Sequence, residues 1–173
     1  MRFEFTTVFT RKTAYPDGIV VCARALGCER DATGKWIDKP QNCGVEIGAG
    51  SEVGANSVIH QGSWRDTVIG EDARIGALVN IGHNVVIGKN VLIAPYASVG
   101  GSVEIGDNVT IWMGAKIAQR LKIGDGAEIG MGAVVLSDVP AGAVVWGSPA
   151  KVMRKAAPAH TQSFDVDDGV PGC

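Results

Sequence analysis

The stretch that decides the fold is TVIGEDARIGALVNIGHNVVIGKNVLIAPYASV, residues 67–99. Within it a branched aliphatic residue recurs every six positions, and the same spacing continues without a gap to Val135. Two residues before each repeated position stands another small or aliphatic residue or a threonine, which strand alternation places on the same face. Such a period indicates a repeat fold whose units stack to bury a continuous core. The repeated positions are Ile69, Ile75, Ile81, Ile87, Ile93, Val99, Ile105, Ile111, Ile117, Ile123, Ile129 and Val135.

A glycine most often follows the repeated aliphatic residue, as in Ile69-Gly70 and Ile105-Gly106. Glycine tolerates the positive φ that a sharp corner requires, and Asn and Asp come next. Each unit is therefore predicted to be a short strand and a corner, with three units making one triangular coil of 18 residues. Because successive coils stack at about 4.8 Å, residues 18 apart are expected to lie above one another.

The predicted fold is an all-β parallel β-helix over residues 45–148. The same spacing starts at Ile47, Val53 and Ile59 and then slips by four residues before Ile69, so residues 61–66 are interpreted as a loop extruded from a corner. Residues 1–44 have no six-residue register and are expected to form an N-terminal cap, with weak strand signals in FEFTTVF and GIVVCA. Residues 149–173 are predicted to hold a short helix in KVMRKAA and a mobile polar tail.

Composition excludes several classes of function. A net charge of -2 gives no basic footprint for nucleic acid. The chain has no apolar run long enough for a membrane span and no signal-peptide pattern at its start, so we expect a cytoplasmic protein. The four cysteines form no C-x-x-C pair, so no metal is expected.

The six-residue register, the segment Ile81-Gly82-His83-Asn84 and the later VVWGSPAKVM resemble the hexapeptide-repeat acyltransferases. Within that family the chain is most similar to the UDP-3-O-acylglucosamine N-acyltransferases and the sugar-nucleotide N-acetyltransferases, over roughly residues 45–155. The resemblance implies left-handed coils, although parallel crossovers are normally right-handed. It also implies a homotrimer. The implied reaction is the transfer of an acetyl group from acetyl-CoA to a nucleotide-linked amino sugar, as in lipopolysaccharide biosynthesis.

The resemblance makes His83 the general base. A sugar ammonium must lose a proton before its nitrogen attacks a thioester, and an imidazole can accept that proton near neutral pH. A corner histidine that binds nothing is the alternative. Gly101 lies 18 residues beyond His83 and matches the family's oxyanion amide, with Gly100 beside it; both glycines could instead serve only as a corner. Asp66, predicted to lie beneath Asn84, is a candidate for orienting His83, with Asn84 as the second candidate; Asp66 could instead cap the loop.

Residues for the two substrates follow from the same resemblance. Coenzyme A is expected in a groove between subunits, where three phosphates would favour cationic side chains. The expected donor-binding residues are Gly100, Trp112, Met113, Gly114, Lys116, Ala150, Lys151 and Arg154. For the acceptor, His60, Trp64 and Arg65 are the candidates, Arg being suited to bidentate phosphate contacts. A solvated face for Lys151 and Arg154, and an interface role for Trp64 and Arg65, are the alternatives.

The chain departs from the lipid A enzyme at positions that contact the acceptor and the acyl chain. Where that enzyme has the sequence I-D-R-G-A, this chain has IHQGS at residues 59–63. The Asp-Asn pair that precedes the catalytic segment in that enzyme is replaced here by Ala77 and Leu78. The 44 residues before the repeats are also too few for its uridine-binding domain. These differences argue against the lipid A acceptor itself.

Four other functions stay open at this stage. The same base could acetylate a small hydroxyl acceptor, or the donor could be an acyl carrier protein. A γ-class carbonic anhydrase would need three zinc-binding histidines, and only His60, His83 and His160 exist. A β-helix without chemistry, acting as a scaffold, is the fourth.

Overall fold

The six-residue period forms a three-sided β-helix in the computed structural model, which describes residues 7–9, 13–14 and 17–155. Three sheets run along the helix axis, and their strands are mostly two or three residues long. The all-β, left-handed parallel β-helix predicted from the sequence is confirmed. The strands are β1 Thr7–Phe9, β2 Thr13–Ala14, β3 Val20–Ala23, β4 Cys28–Arg30, β5 Trp36–Asp38, β6 Val45–Ile47, β7 Glu52–Val53, β8 Val58–His60, β9 Thr67–Ile69, β10 Arg74–Ile75, β11 Asn80–Ile81, β12 Val86–Ile87, β13 Leu92–Ile93, β14 Ser98–Val99, β15 Glu104–Ile105, β16 Thr110–Ile111, β17 Lys116–Ile117, β18 Lys122–Ile123, β19 Glu128–Ile129, β20 Val134–Val135, β21 Ala143–Gly147 and β22 Ala150–Lys155.

Each face of the triangle is one stacked sheet. Face I holds β6, β9, β12, β15 and β18; face II holds β7, β10, β13, β16, β19, β21 and β22; face III holds β3, β8, β11, β14, β17 and β20. Within face I, Ile69 pairs with Ile87 and Ile87 with Ile105, so residues 18 apart do stack. The repeated aliphatic side chains point inward and form the buried core.

The corners differ from the prediction in one respect. Positive φ does not fall on the glycine after the aliphatic residue but two positions later, for example at Asp72 (φ 55°) and Asn84 (φ 59°). The glycine is needed for space, because a Cβ on Gly70 would collide with the carbonyl oxygen of Gly88 in the coil above.

The β-helix begins earlier than residue 45. Strand β3 pairs in parallel with β8, and Val21 lies in the inward position beneath Ile59. Ile19 and Val21 are fully buried in the same core. Residues 24–43, which we call the arm, are therefore an insertion at the corner between faces III and I, and they contain the β4–β5 hairpin. Strands β1 and β2 pair antiparallel with β6 and β3 at the N-terminal end, in the region predicted to be a cap.

The predicted helix in KVMRKAA is wrong for residues 151–155, which belong to β22. This strand pairs antiparallel with β21 and provides hydrogen-bond partners for the last edge of face II. The remainder of the tail, including His160, lies outside the described residues. Within the described ranges, the structure contains no helix that could span a membrane.

The three corners have different chemistry. The corner between faces III and I, which we call the His83 corner, carries the arm, the loop at residues 61–66, His83 and Gly101. The corner between faces I and II is charged, with Glu71, Lys89, Asp107 and Asp125. The corner between faces II and III, which we call the apolar corner, exposes Leu78, Tyr96, Met113 and Met131 at 44–70%.

Candidate active site

His83 lies between β11 and β12, where the chain turns from face III to face I. The next residue, Asn84, has a φ of 59° and is fully buried. Asparagine adopts this left-handed conformation more readily than most residues, because its short side chain can bond locally. The turn therefore directs the Asn84 side chain into the protein and leaves His83 half-buried at the surface.

Asn84 fixes the ring of His83. Its Oδ1 lies 2.6 Å from His83 Nδ1 and also accepts the hydroxyl of Ser63 at 2.7 Å. Its Nδ2 donates to the carbonyl oxygen of Arg65 at 2.7 Å, which sets the orientation of the amide. Because Asn84 Oδ1 can only accept, Nδ1 of neutral His83 carries the proton and Nε2 keeps its lone pair. The network thus holds the tautomer that a general base requires.

The free nitrogen of His83 faces Gly101 in the coil above. A Cβ built on Gly101 would lie 2.6 Å from His83 Nε2. Gly101 has an ordinary φ, so this glycine provides space next to the imidazole rather than a special turn. Its N–H has no acceptor among the described residues, whereas the matching N–H groups of Lys89 and Asp107 are bonded to an aspartate one coil above. His83 Nε2 therefore lies against a residue whose backbone donor has no acceptor among the described residues.

Asp66 does not orient His83, which corrects one of the two candidates. Its Oδ1 accepts the N–H of Gly44 at 2.6 Å, so it caps the junction between the arm and the coil. The Nδ1 position is taken by Asn84, the second candidate. The reason is the left-handed corner, which turns the residue after His83 inward.

The loop at residues 61–66 supports this site. Arg65 Nε donates to the carbonyl oxygen of Asn84 at 3.2 Å, and its guanidinium pairs with Glu104 at 3.1 Å. It also lies 4.7 Å from the ring centre of Trp64, whose side chain is 66% exposed. Arg65 is thus already engaged with the protein, whereas Trp64 is accessible.

His60 lies beside His83 at the edge of face III. Its Nε2 is 3.0 Å from Asn80 Oδ1, while its Nδ1 is buried and has no hydrogen-bond partner among the residues that the structure describes. It faces the same groove as His83. The structure thus brings His60 and His83, the two histidines of the β-helix, to one site.

Two grooves meet at His83. One, of about 490 Å³, follows face III past Asn80, Gly100, Gly101 and Lys116 toward the later coils. The second, of about 840 Å³, lies between the arm, the loop and the coil, and is lined by polar residues from all three. Leu26, at the start of the arm, borders both grooves and is 93% exposed.

The expected donor-binding residues are divided among three places. Gly100 and Lys116 line the face III groove with His83. Trp112 and Met113 line a different groove of about 400 Å³ on face II, and Gly114 follows them at the apolar corner. Ala150, Lys151 and Arg154 belong to β22 at the end of face II. Within one chain, only the first pair adjoins His83.

Several residues of the site were not found from the sequence. Ser63 and Asn80 contact the two histidines through hydrogen bonds that depend on the loop path. Leu26 and the rest of the arm precede the repeats and carry no register. Arg120 lies two coils above His83 and its N–H bonds to the carbonyl oxygen of Gly101 at 2.9 Å. The repeat spacing could have identified Arg120, because Arg120 occupies the same corner position as Asn84.

Among the described residues, no group of three or more His, Cys, Asp or Glu side chains could hold a metal ion. Burial raises the pKa of the Cys22 thiol to about 11, partly offset by a hydrogen bond from the backbone of Val45. This thiol therefore stays protonated and poorly reactive at neutral pH.

Comparison with known proteins agrees with this architecture. The family described as "Bacterial transferase hexapeptide (six repeats)" matches residues 66–101 and 102–137. A probable UDP-3-O-acylglucosamine N-acyltransferase from Arabidopsis thaliana is 45% identical over 69 residues, which are 40% of this chain and 23% of that protein. The chain therefore aligns with less than a quarter of that relative.

Two solved structures share the fold. WeeI from Acinetobacter baumannii AYE is 37% identical with a TM-score of 0.59, and the alignment covers 63% of this chain and 52% of that one. A variant of perosamine N-acetyltransferase from Caulobacter crescentus, solved with CoA and GDP-perosamine, is 23% identical with a TM-score of 0.52, over 61% and 51% of the two chains. Over its repeats the chain is therefore similar to the hexapeptide-repeat transferases, with a family match to residues 66–137 and the same fold in the solved structures.

Proposed function

We propose that this protein is an acyltransferase that moves an acetyl group from acetyl-CoA to the amine of a nucleotide-linked amino sugar. The observation that carries the proposal is that His83 Nε2 lies against Gly101, whose N–H has no acceptor in the described part of the chain, at the point where two grooves meet. A base and an oxyanion donor are the two groups that attack on a thioester requires. The curated Arabidopsis relative is named as an N-acyltransferase, which supports the same class.

The reaction is a direct attack. The neutral amine nitrogen attacks the thioester carbonyl carbon, and the carbonyl oxygen becomes an oxyanion that the Gly101 N–H stabilises. His83 Nε2 takes the proton of the attacking nitrogen, and its Nδ1–H remains bonded to Asn84. The C–S bond then breaks, the imidazolium returns the proton to the leaving thiolate, and the products are an N-acetyl sugar and coenzyme A. No serine or cysteine nucleophile is required.

We place the donor in the face III groove. This groove reaches Gly101 at one end and passes Lys116, an exposed cation without an ion-pair partner among the described residues. The fold is able to hold such a molecule, since the perosamine enzyme was solved with CoA. Both proposed substrates are charged and water-soluble, which suits a cytoplasmic reaction. An acyl carrier protein as donor is the alternative.

The active unit is proposed to be a homotrimer. The apolar corner exposes a column of large hydrophobic side chains that a single chain leaves in water. Packing this corner against a neighbouring chain would bury them. It would also bring Trp112 and Met113 of one chain near the His83 corner of the next, which would unite the divided donor-binding residues.

The test is a thermal-shift screen followed by an acetylation assay. The ligands are coenzyme A, UDP-glucosamine, dTDP-linked amino sugars and GDP-perosamine, because a ligand of the native state raises its stability. We expect coenzyme A and at least one amino sugar to raise the Tm, and His83→Gln to abolish transfer without lowering the Tm. Full activity of His83→Gln would refute the mechanism.

An O-acetyltransferase is the second candidate, favoured by the fact that the same base and oxyanion donor would serve a hydroxyl. Offering the paired hydroxy sugar nucleotide in the same assay separates the two. Stoichiometric zinc in the purified protein would instead favour the carbonic anhydrase class, and neither ligand binding nor transfer would favour a scaffold.

A further inference from the structure

The arm is fixed to the His83 corner at its base. Gln41 bonds to both backbone groups of Ala25, with Oε1 accepting the N–H and Nε2 donating to the carbonyl oxygen, each at 2.7 Å. Gln61 Nε2 donates to the carbonyl oxygen of Gln41 at 2.6 Å, and the N–H of Cys43 donates to Gly62 at 3.1 Å. The arm and the loop therefore form one unit that is held beside His83.

The second groove exists because of this arm. Its lining includes Cys28, Glu29 and Lys39 from the arm and Trp64 from the loop. His83 and Arg120 contribute the coil side of the groove. An ordinary hexapeptide corner has no such wall, so the groove is a property of the insertion in this chain.

The groove has the chemistry to bind a phosphorylated sugar. Lys39 and Glu29 pair at 2.7 Å and cancel each other's charge. Arg120 is exposed and has no ion-pair partner within the described part of the chain, so the groove that His83 lines keeps one net positive charge, two coils above His83. A guanidinium can bind phosphate through two parallel hydrogen bonds. The accessible indole of Trp64 offers a flat apolar surface for a sugar ring or a base.

We propose that the arm groove is the acceptor site and that it takes an amino sugar bearing a phosphate or diphosphate. The amine would lie at His83 Nε2, the anionic group at Arg120, and the ring against Trp64. The donor would approach His83 from the face III groove, on the other side of Leu26. This inference rests on the proposed function, and it adds that residues outside the repeats select the acceptor.

The alkylation rate of the native Cys28 measures whether a ligand occupies this groove, and it does not depend on enzyme activity. It is half-buried and lines the groove, whereas Cys22 is buried and has a raised pKa. The protein is alkylated with N-ethylmaleimide and the modified peptides are quantified by mass spectrometry. The probes are UDP-glucosamine, GDP-perosamine and glucosamine 6-phosphate, with coenzyme A as a comparison and Cys43 as an internal reference.

We expect at least one amino sugar phosphate to slow labelling of Cys28 about tenfold or more relative to Cys43, and coenzyme A to leave it unchanged. In Arg120→Gln the concentration needed for protection should rise about tenfold, because a charge-assisted hydrogen bond is lost. The matched control is Lys89→Gln at the charged corner, which should behave like the wild type.

The outcomes separate this inference from the proposed function. If no amino sugar phosphate protects Cys28, or if Arg120→Gln acts like Lys89→Gln, the acceptor assignment is overturned even when His83 proves essential. If His83→Gln remains fully active while protection of Cys28 persists, the groove stands and the proposed mechanism falls.

Discussion

The Nε2 atom of His83 and the α-carbon of Gly101 are so close that a methyl group on Gly101 would lie 2.6 Å from the imidazole nitrogen. The ring cannot easily move away, because Asn84 holds its other nitrogen at 2.6 Å. These two contacts make the spacing between His83, the proposed base, and Gly101, the proposed oxyanion donor, a property of the coil stacking.

We therefore expect Gly101→Ala to lower kcat by about a hundredfold, the loss typical of a disturbed oxyanion site. The methyl group would displace the imidazole from the position in which it takes the proton of the attacking amine. Steady-state kinetics measure the effect. Gly126→Ala, where a methyl group meets no neighbour but φ is 64°, controls for general strain in a coil corner. Equal activity of both variants would contradict the assigned role of Gly101.

Asn84 is expected to act as a positioning residue. In Asn84→Asp the side chain still accepts from His83 Nδ1, but its negative charge favours the imidazolium. The acid limb of the pH–rate profile should move to higher pH, because His83 must be neutral to accept a proton. The loss of the Nδ2 bond to Arg65 should also lower the Tm. A pH profile identical to that of the wild type would mean that Asn84 has only a structural role.

Lys116 is expected to bind the donor and not the acceptor. Lys116→Gln removes an exposed cation from the face III groove, so the KM for acetyl-CoA should rise several-fold while the acceptor KM stays within about twofold. Initial rates with each substrate varied in turn measure both constants. Lys122→Gln, which removes a lysine that pairs with Glu104 at 3.7 Å on face I, is the matched control. A change confined to the acceptor KM would reverse the assignment of the two grooves.

The sequence was sufficient where the repeat is regular. An unbroken series of inward residues permits only one stacking register, so counting 18 residues correctly brought Gly101 above His83. The start of the β-helix was missed because the arm separates Val21 from the next coil and hides the register that Val21 shares with Ile59. Sequence spacing does not distinguish Asp66 from Asn84 as the partner of His83, because it does not reveal which way a side chain turns at a left-handed corner.

The other differences have similar local causes. The composition of KVMRKAA is compatible with a helix. The last edge of face II, however, has hydrogen-bonding groups that need a partner strand, and this tertiary pairing overrides the helix propensity. Trp112 and Met113 lie within two coils of His83 along the β-helix axis, but they are at another corner of the triangle. Their proposed role in donor binding therefore depends on contact between subunits, about which a single sequence has no spacing information.

The apolar corner leads to the last prediction. Tyr96 and Met131 are 62% and 70% exposed in one chain, and the proposed trimer would bury both. Met131→Glu would place a charge in that interface without a partner, which costs several kcal/mol. We expect the variant to sediment as a monomer in analytical ultracentrifugation and to lose transferase activity, while the Tm of its core changes little. Lys89→Glu, a charge change at the opposite, charged corner, should leave the trimer intact. If Met131→Glu remains trimeric and active, this corner is not the subunit contact, and Trp112 and Met113 cannot complete a neighbour's donor site.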